Sequence, residues 1–196
     1  DIPLDVQAAL IEPDSLAGYT PEKKETTGLP EVVSAEIDDL NSSSRPIILA
    51  GNGIRLSGAI EEFKQLTSIL NIPILLTWKA IDFFEEEHPL YVGRPGGVGQ
   101  RGANFSQQNS DFLISIGARL DHGQTAYQHK YFAREAKKVI VDIDSNEIDK
   151  MQMKIEHPVP YDAGDFIREL IRQKDKINIT CSHWIETCKI WHQKYP

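Results

Sequence analysis

Cysteine is scarce in this chain of 196 residues: Cys181 and Cys188 are the whole supply, and no Cys-x-x-Cys pair exists. A zinc ribbon is therefore excluded. Seven residues apart, the two thiols fall on one side of a helix about two turns from each other, too far to bridge. Two reduced thiols of a cytosolic protein are the expectation, which makes the localisation cytoplasmic. Long apolar runs are missing too. None approaches the ~18 residues of a membrane span, and the opening residues lack the pattern of a signal peptide. Positive charge is in deficit, with 21 Lys and Arg against 29 Asp and Glu and a net charge of -8. That balance argues against nucleic acid, which rewards a basic stripe, and against an anionic membrane surface. The six histidines do not form a metal site: His122 and His129 are seven apart with no carboxylate at ligand spacing and read as surface imidazoles. No nucleophile elbow and no convincing acid–base pair appear, so no catalytic and no metal-binding residue is expected. The chain also opens at Asp1 rather than Met, as expected of a segment of a longer polypeptide.

What is present suits one packed domain: 40% hydrophobic and 26% charged residues. Residues 1–30 are punctuated by Pro3, Pro13, Gly18, Pro21, Gly28 and Pro30 and read as a linker. From Glu31, Val33, Ile37 and Leu40 fall at i, i+4 and i+7, a helix that Asn41-Ser42-Ser43-Ser44 ends. Apolar runs that suit strands follow at Pro46–Ala50, Ile72–Thr77, Asp111–Gly117 and Lys138–Asp144, with a short fifth at Val159 and Tyr161. Between them the pattern predicts helices: one capped by Ser57 with Ile60, Phe63, Leu66 and Leu70 inward, one ending at Ser110, a turn or two over 132–137, and one capped by Asp162 with Phe166, Ile167, Leu170 and Ile171 inward. Such alternation implies an α/β class: a doubly wound, Rossmann-like parallel sheet with helices on both faces. The expected division is 1–30 as a linker, 31–175 as the α/β domain, and 176–196 as a helix. Trp184, Ile185, Cys188 and Trp191 in that last piece either pack on this domain or lead into another.

In open parallel sheets, ligands sit beyond the carboxyl ends of the strands. Gly51-Asn52-Gly53 lies there, either to let backbone amides approach a phosphate or ribose or merely to join strand to helix; the full Gly-x-Gly-x-x-Gly fingerprint fails at Leu56. A side chain at Gly51 is expected to intrude only on the ligand edge. The glycine-rich stretch from Gly93 through Arg94, Gly96 and Gly97 to Gly102 is either a wrap around a ligand or a mobile surface loop. Gly117, Arg119 and Asp121 follow the third strand. Asp142 and Asp144 close the fourth, where a carboxylate can accept a ribose hydroxyl or, at Asp144, cap Ser145-Asn146-Glu147.

Taken in order, these residues resemble the thiamine-diphosphate-dependent enzymes that include acetolactate (acetohydroxyacid) synthase. The carriers are Asp1–Gln7, similar to the last strand of that family's pyrimidine-binding first domain, then Arg45–Gly53, Gly117–Asp121 and Val141–Ile148. The resemblance implies a central domain, structural and open to a nucleotide, in a parent that decarboxylates a 2-oxo acid and transfers the two-carbon unit; a decarboxylase (lyase) parent is the alternative. It implies thiamine diphosphate and Mg²⁺ bound in flanking domains of the same parent, which works as a homodimer or homotetramer, while this chain alone catalyses nothing. It also implies FAD or ADP held at Gly51, Asn52, Gly53, Thr77, Gly93, Arg94, Gly96, Gly97, Gly117, Arg119, Asp121, Asp142, Ile143, Asp162 and Ala163. Two stretches depart from the family pattern. Gly93–Gly97 replaces a Met-Gly-Met-His-Gly type segment, and Arg119–Gly123 replaces Arg-Phe-Asp-Asp-Arg, with one acid and one arginine fewer. Gly164-Asp165-Phe166 lacks the second glycine of the family's Gly-Asp-Gly motif and reads as a helix start.

Overall fold

A computed structural model of the chain describes residues 2–20 and 26–196. The described residues form one all-parallel, five-stranded sheet in the order β2-β1-β3-β4-β5. Its strands are β1 (Pro46–Ala50), β2 (Ile74–Leu76), β3 (Phe112–Ile116), β4 (Lys137–Val141) and β5 (His157–Val159). The helices are α1 (Leu4–Gln7), α2 (Leu29–Ser42), α3 (Gly53–Leu56), α4 (Ile60–Leu70), α5 (Arg101–Asn109), α6 (His122–Thr125), α7 (Ser145–Asp149), α8 (Ala163–Arg172) and α9 (Ser182–Lys194). Every residue of β1 and β3 is buried, as strands covered on both faces must be. Helix α8 packs against both α4 and α2, and α5 packs against α9. The doubly wound α/β expectation therefore stands. Chain order reverses between β1 and β3: β1 leads outward to β2, and the chain then crosses back to β3. Crevices for ligands open at such a reversal.

The C-terminal helix packs on this domain. Trp184 is buried and its Nε1 donates to the Pro46 carbonyl at 2.9 Å. Cys181 and Cys188 are both buried and unbridged, and burial pushes their thiols up to about 11 and about 12. They are inert core groups at neutral pH. A side chain at Gly102 would lie 2.3 Å from the Trp191 carbonyl oxygen, so α5 and α9 touch backbone to backbone.

Several local expectations are corrected. Leu4–Gln7 is a helical turn and not a strand; Asp1, Pro21 and the rest of 21–25 fall outside the described residues. With no paired strand among the described residues, the backbone there bonds locally, Gln7 N–H to Pro3 C=O at 3.0 Å and Ala8 N–H to Leu4 C=O at 3.2 Å. Ser57 caps no helix start. It ends the one-turn α3, its hydroxyl bonded to the Ile54 carbonyl, and α4 begins only at Ile60. The helical turn expected over 132–137 is a hydrogen-bonded turn over 132–135, with Ala136 N–H donating to Ala133 C=O at 3.0 Å, and it does not continue into a helix. The helical turns stand earlier, at α6, which Asp121 caps by accepting from Gln124 N–H, and at a 3-10 turn over His129–Tyr131. Helix α2 starts at Leu29, two residues before Glu31, with Pro30 in the first turn where its missing N–H costs nothing. Tyr161 lies beyond β5, its hydroxyl donating to the Thr27 carbonyl at 2.8 Å.

Candidate functional site

The loops leaving β1 and β3 press together at the sheet reversal. Gly51 N–H donates to Ile116 C=O and Gly53 N–H to Gly117 C=O, both at 2.9 Å. A Cβ on Gly51 would stand 2.3 Å from Ala118 Cα and from the Gly117 oxygen. One on Gly53 would stand 2.6 Å from Gly117 Cα, and Gly117 itself adopts φ +55. The glycines are thus required for backbone to meet backbone. A side chain at Gly51 strikes the β3 loop, not the ligand edge as the sequence suggested.

Beside these loops opens a cleft of about 900 Å³. Asn52 and Gly53 line it from the β1 loop, and Thr77 from the end of β2. Gly117, Arg119 and Asp121 line it from the β3 loop. Asp142 and Ile143 follow β4, and Asp162 and Ala163 start α8. Gly51 is buried behind this wall. Lys79, Gln124 and Glu147 also line the cleft, and sequence reasoning passed over all three. The available signal was indirect: Glu147 and Gln124 each sit three residues after a capping aspartate, on the first turn of a helix that opens toward the crevice.

The glycine-rich loop splits from this group. Arg94 and Gly96 line a smaller cavity of about 260 Å³, which shares Trp78, Asp121 and Gln124 with the main cleft. The Arg94 guanidinium lies 5.2 Å from the Trp78 ring centroid, a cation–π distance. Gly93 lines neither cavity: at φ +106 it packs against Gln100, Ala103 and His192. Gly97 N–H donates to Gly123 C=O at 2.7 Å, and the Asn104 side-chain amide holds both backbone groups of Gly96. The loop is pinned at every turn. Arg101 sits away from both cavities, over the Tyr195 ring.

The charges of the cleft are unevenly placed. Asp142, Asp144, Glu147 and Asp162 line the β4–β5 side. Arg119 Nε reaches Glu147 at 3.1 Å, and Lys150 bonds the same Glu147 carboxylate and holds it below the ordinary range, with Arg119 assisting. Burial raises the Asp142 carboxyl above its ordinary value, partly offset by the Asp144 N–H it accepts at 3.0 Å. Asp144 accepts from Asn146 N–H and caps α7. Asp162 Oδ1 accepts from Gly164 and Asp165 N–H, so Gly164-Asp165-Phe166 is a capped helix start. Among the described residues, no three His, Cys, Asp or Glu side chains are grouped to hold a metal ion. His122 stacks on Tyr127, and His129 Nδ1 accepts from Gln152 N–H. No helix among the described residues is long and apolar enough to cross a membrane.

Residues 33–170 match the family described as thiamine pyrophosphate enzyme, central domain. The chain is 39% identical over 185 residues to a probable acetolactate synthase large subunit of Methanococcus aeolicus, covering 90% of this chain and 30% of that protein. Its identity to the corresponding protein of Methanocaldococcus jannaschii is 36% over 179 residues, covering 87% and 29%. To the acetolactate synthase large subunit of Corynebacterium glutamicum it is 29% over 204 residues, covering 100% and 32%. The chain thus spans about a third of the length of these relatives. With a parallel five-stranded sheet, a cleft at its reversal point and a match across most of its length, the chain belongs to the family of thiamine pyrophosphate enzyme central domains.

Proposed function

We propose that this chain is the central domain of an acetolactate synthase-type enzyme, whose activity is decarboxylation of a 2-oxo acid and transfer of the two-carbon unit to a second carbonyl. The observation that carries this is the 39% identity over 90% of the chain to a probable acetolactate synthase large subunit. In this reading thiamine diphosphate supplies the electron sink for decarboxylation when bound with Mg²⁺ in flanking domains of the same cytoplasmic, oligomeric parent. This chain contributes a scaffold and a nucleotide site.

The cleft residues fit an ADP-bearing group such as ADP or FAD. Its volume of about 900 Å³ lies in the range of roughly 300–1,000 Å³ typical of cofactor pockets. Ile143, Ala163 and the exposed Leu56 offer apolar surface for a base. Asp142 offers a carboxylate for ribose hydroxyls. Asn52, Gly53 and Arg119 line the cleft and would supply the donors that a diphosphate needs. Arg94 and Gly96 would meet any further ring in the smaller cavity, with Gly93 and Gly97 shaping the loop behind them.

The test is an assay of the longer polypeptide containing this sequence with pyruvate, thiamine diphosphate and Mg²⁺. Acetolactate as the product is expected. Acetaldehyde with no acetolactate would replace the transferase reading by the lyase one, and no consumption of pyruvate or another 2-oxo acid would refute both.

A further inference from the structure

Resting on the reading of the cleft as a nucleotide site, we propose that its β4–β5 side selects nucleotides whose ribose 2′- and 3′-hydroxyls are both unsubstituted and rejects those carrying a phosphate there. Four carboxylates line that side: Asp142, Asp144, Glu147 and Asp162. The cations lining the cleft, Lys79 and Arg119, come from the segments after β2 and β3, and Arg119 is already held against Glu147 at 3.1 Å.

Each carboxylate is fixed by the fold. Asp142 is held by the Asp144 N–H at 3.0 Å, Asp144 by the Asn146 N–H at 3.0 Å, Asp162 by the first amides of α8, and Glu147 by Lys150 and Arg119. A fixed carboxylate accepts a hydroxyl hydrogen bond at little reorganisation cost, and the half-buried Asp142 gains most from a donor. A phosphate at the same place would bring about -1.5 to -2 further charges against this wall. At separations of a few ångströms near a protein surface, such a contact weakens binding by at least about tenfold. The wall therefore tells a plain ribose diol from a phosphorylated one.

Calorimetric titration of this chain decides the matter with three probes: ADP, ADP with a further phosphate on the ribose 2′-oxygen, and ADP with one on the 3′-oxygen. Expected are ADP binding and at least about tenfold weaker binding of both phosphorylated forms. Equal or tighter binding of the phosphorylated forms would overturn the inference while leaving the nucleotide reading intact. No binding of any of the three would overturn both. Asp142→Asn keeps the acceptor for Asp144 N–H and removes a charge, so the gap should narrow. The same narrowing is expected of the unaltered chain between about 20 mM and about 500 mM KCl, since salt screens the repulsion. A gap that neither the substitution nor salt changes would refute the acidic wall as its cause.

Discussion

Glu36 allows the energetics of the fold to be tested with one substitution. It sits on the inward face of α2 beside Val33, Ile37 and Leu40, with 3% of its surface exposed, and its Oε1 has no hydrogen-bond partner among the described residues. Burial raises its carboxyl from about 4.5 to about 9. The folded chain thus keeps Glu36 protonated at neutral pH, while the unfolded chain ionises it. Stability is full below pH ~4.5, where both states are protonated, and it is lost progressively as pH rises toward ~9. Each unit in that window costs about 1.4 kcal/mol, so the loss at pH 7 reaches about 3 kcal/mol. That is a large fraction of the roughly 5–15 kcal/mol that holds a domain together. Glu36→Gln keeps the shape and removes the ionisation. Urea unfolding at pH 5, 6, 7 and 8 should show the variant close to the parent chain at pH 5 and increasingly more stable above it. Parallel stability profiles would refute the reasoning, because they would mean that Glu36 titrates alike in both states.

Other substitutions test the packing around the cleft. Gly51→Val should lower stability by about 3 kcal/mol or more, because its Cβ would meet the Gly117–Ala118 backbone; an unchanged melting temperature with a lost nucleotide response would contradict this. Asp162→Ala removes the acceptor for two amides of α8 and should cost about 1 kcal/mol in urea unfolding. Trp184→Phe leaves the Pro46 carbonyl without its Nε1 donor and should cost about 1–3 kcal/mol by the same measurement.

The sheet was readable in the sequence because strands buried on both faces are continuous apolar runs, as in Pro46–Ala50 and Phe112–Ile116. Asp162 was readable as a cap because one carboxylate before an amphipathic helix suffices. Ser57 misled for a physical reason: its hydroxyl turns back to Ile54 and closes a single helical turn that has no periodicity to announce it. The glycine-rich loop showed the limit of composition. Glycine content suggested mobility or a ligand wrap, whereas Asn104 pins the loop from the helix that follows it and Gly123 from the loop after β3. Glu147 escaped notice because its place in the cleft depends on Arg119, 28 residues away. Gly51 and Gly53 were recognised as special, but their need to approach Gly117 is a tertiary fact.

We propose that the crevice at the β1, β3 and β4 loops is a nucleotide site. A crystal structure of this chain grown with ADP tests it most directly. The nucleotide is expected in the cleft, with its ribose at Asp142 and its phosphates toward Asn52, Gly53 and Arg119. An empty cleft at saturating ADP, or ADP bound on another face of the sheet, would contradict it.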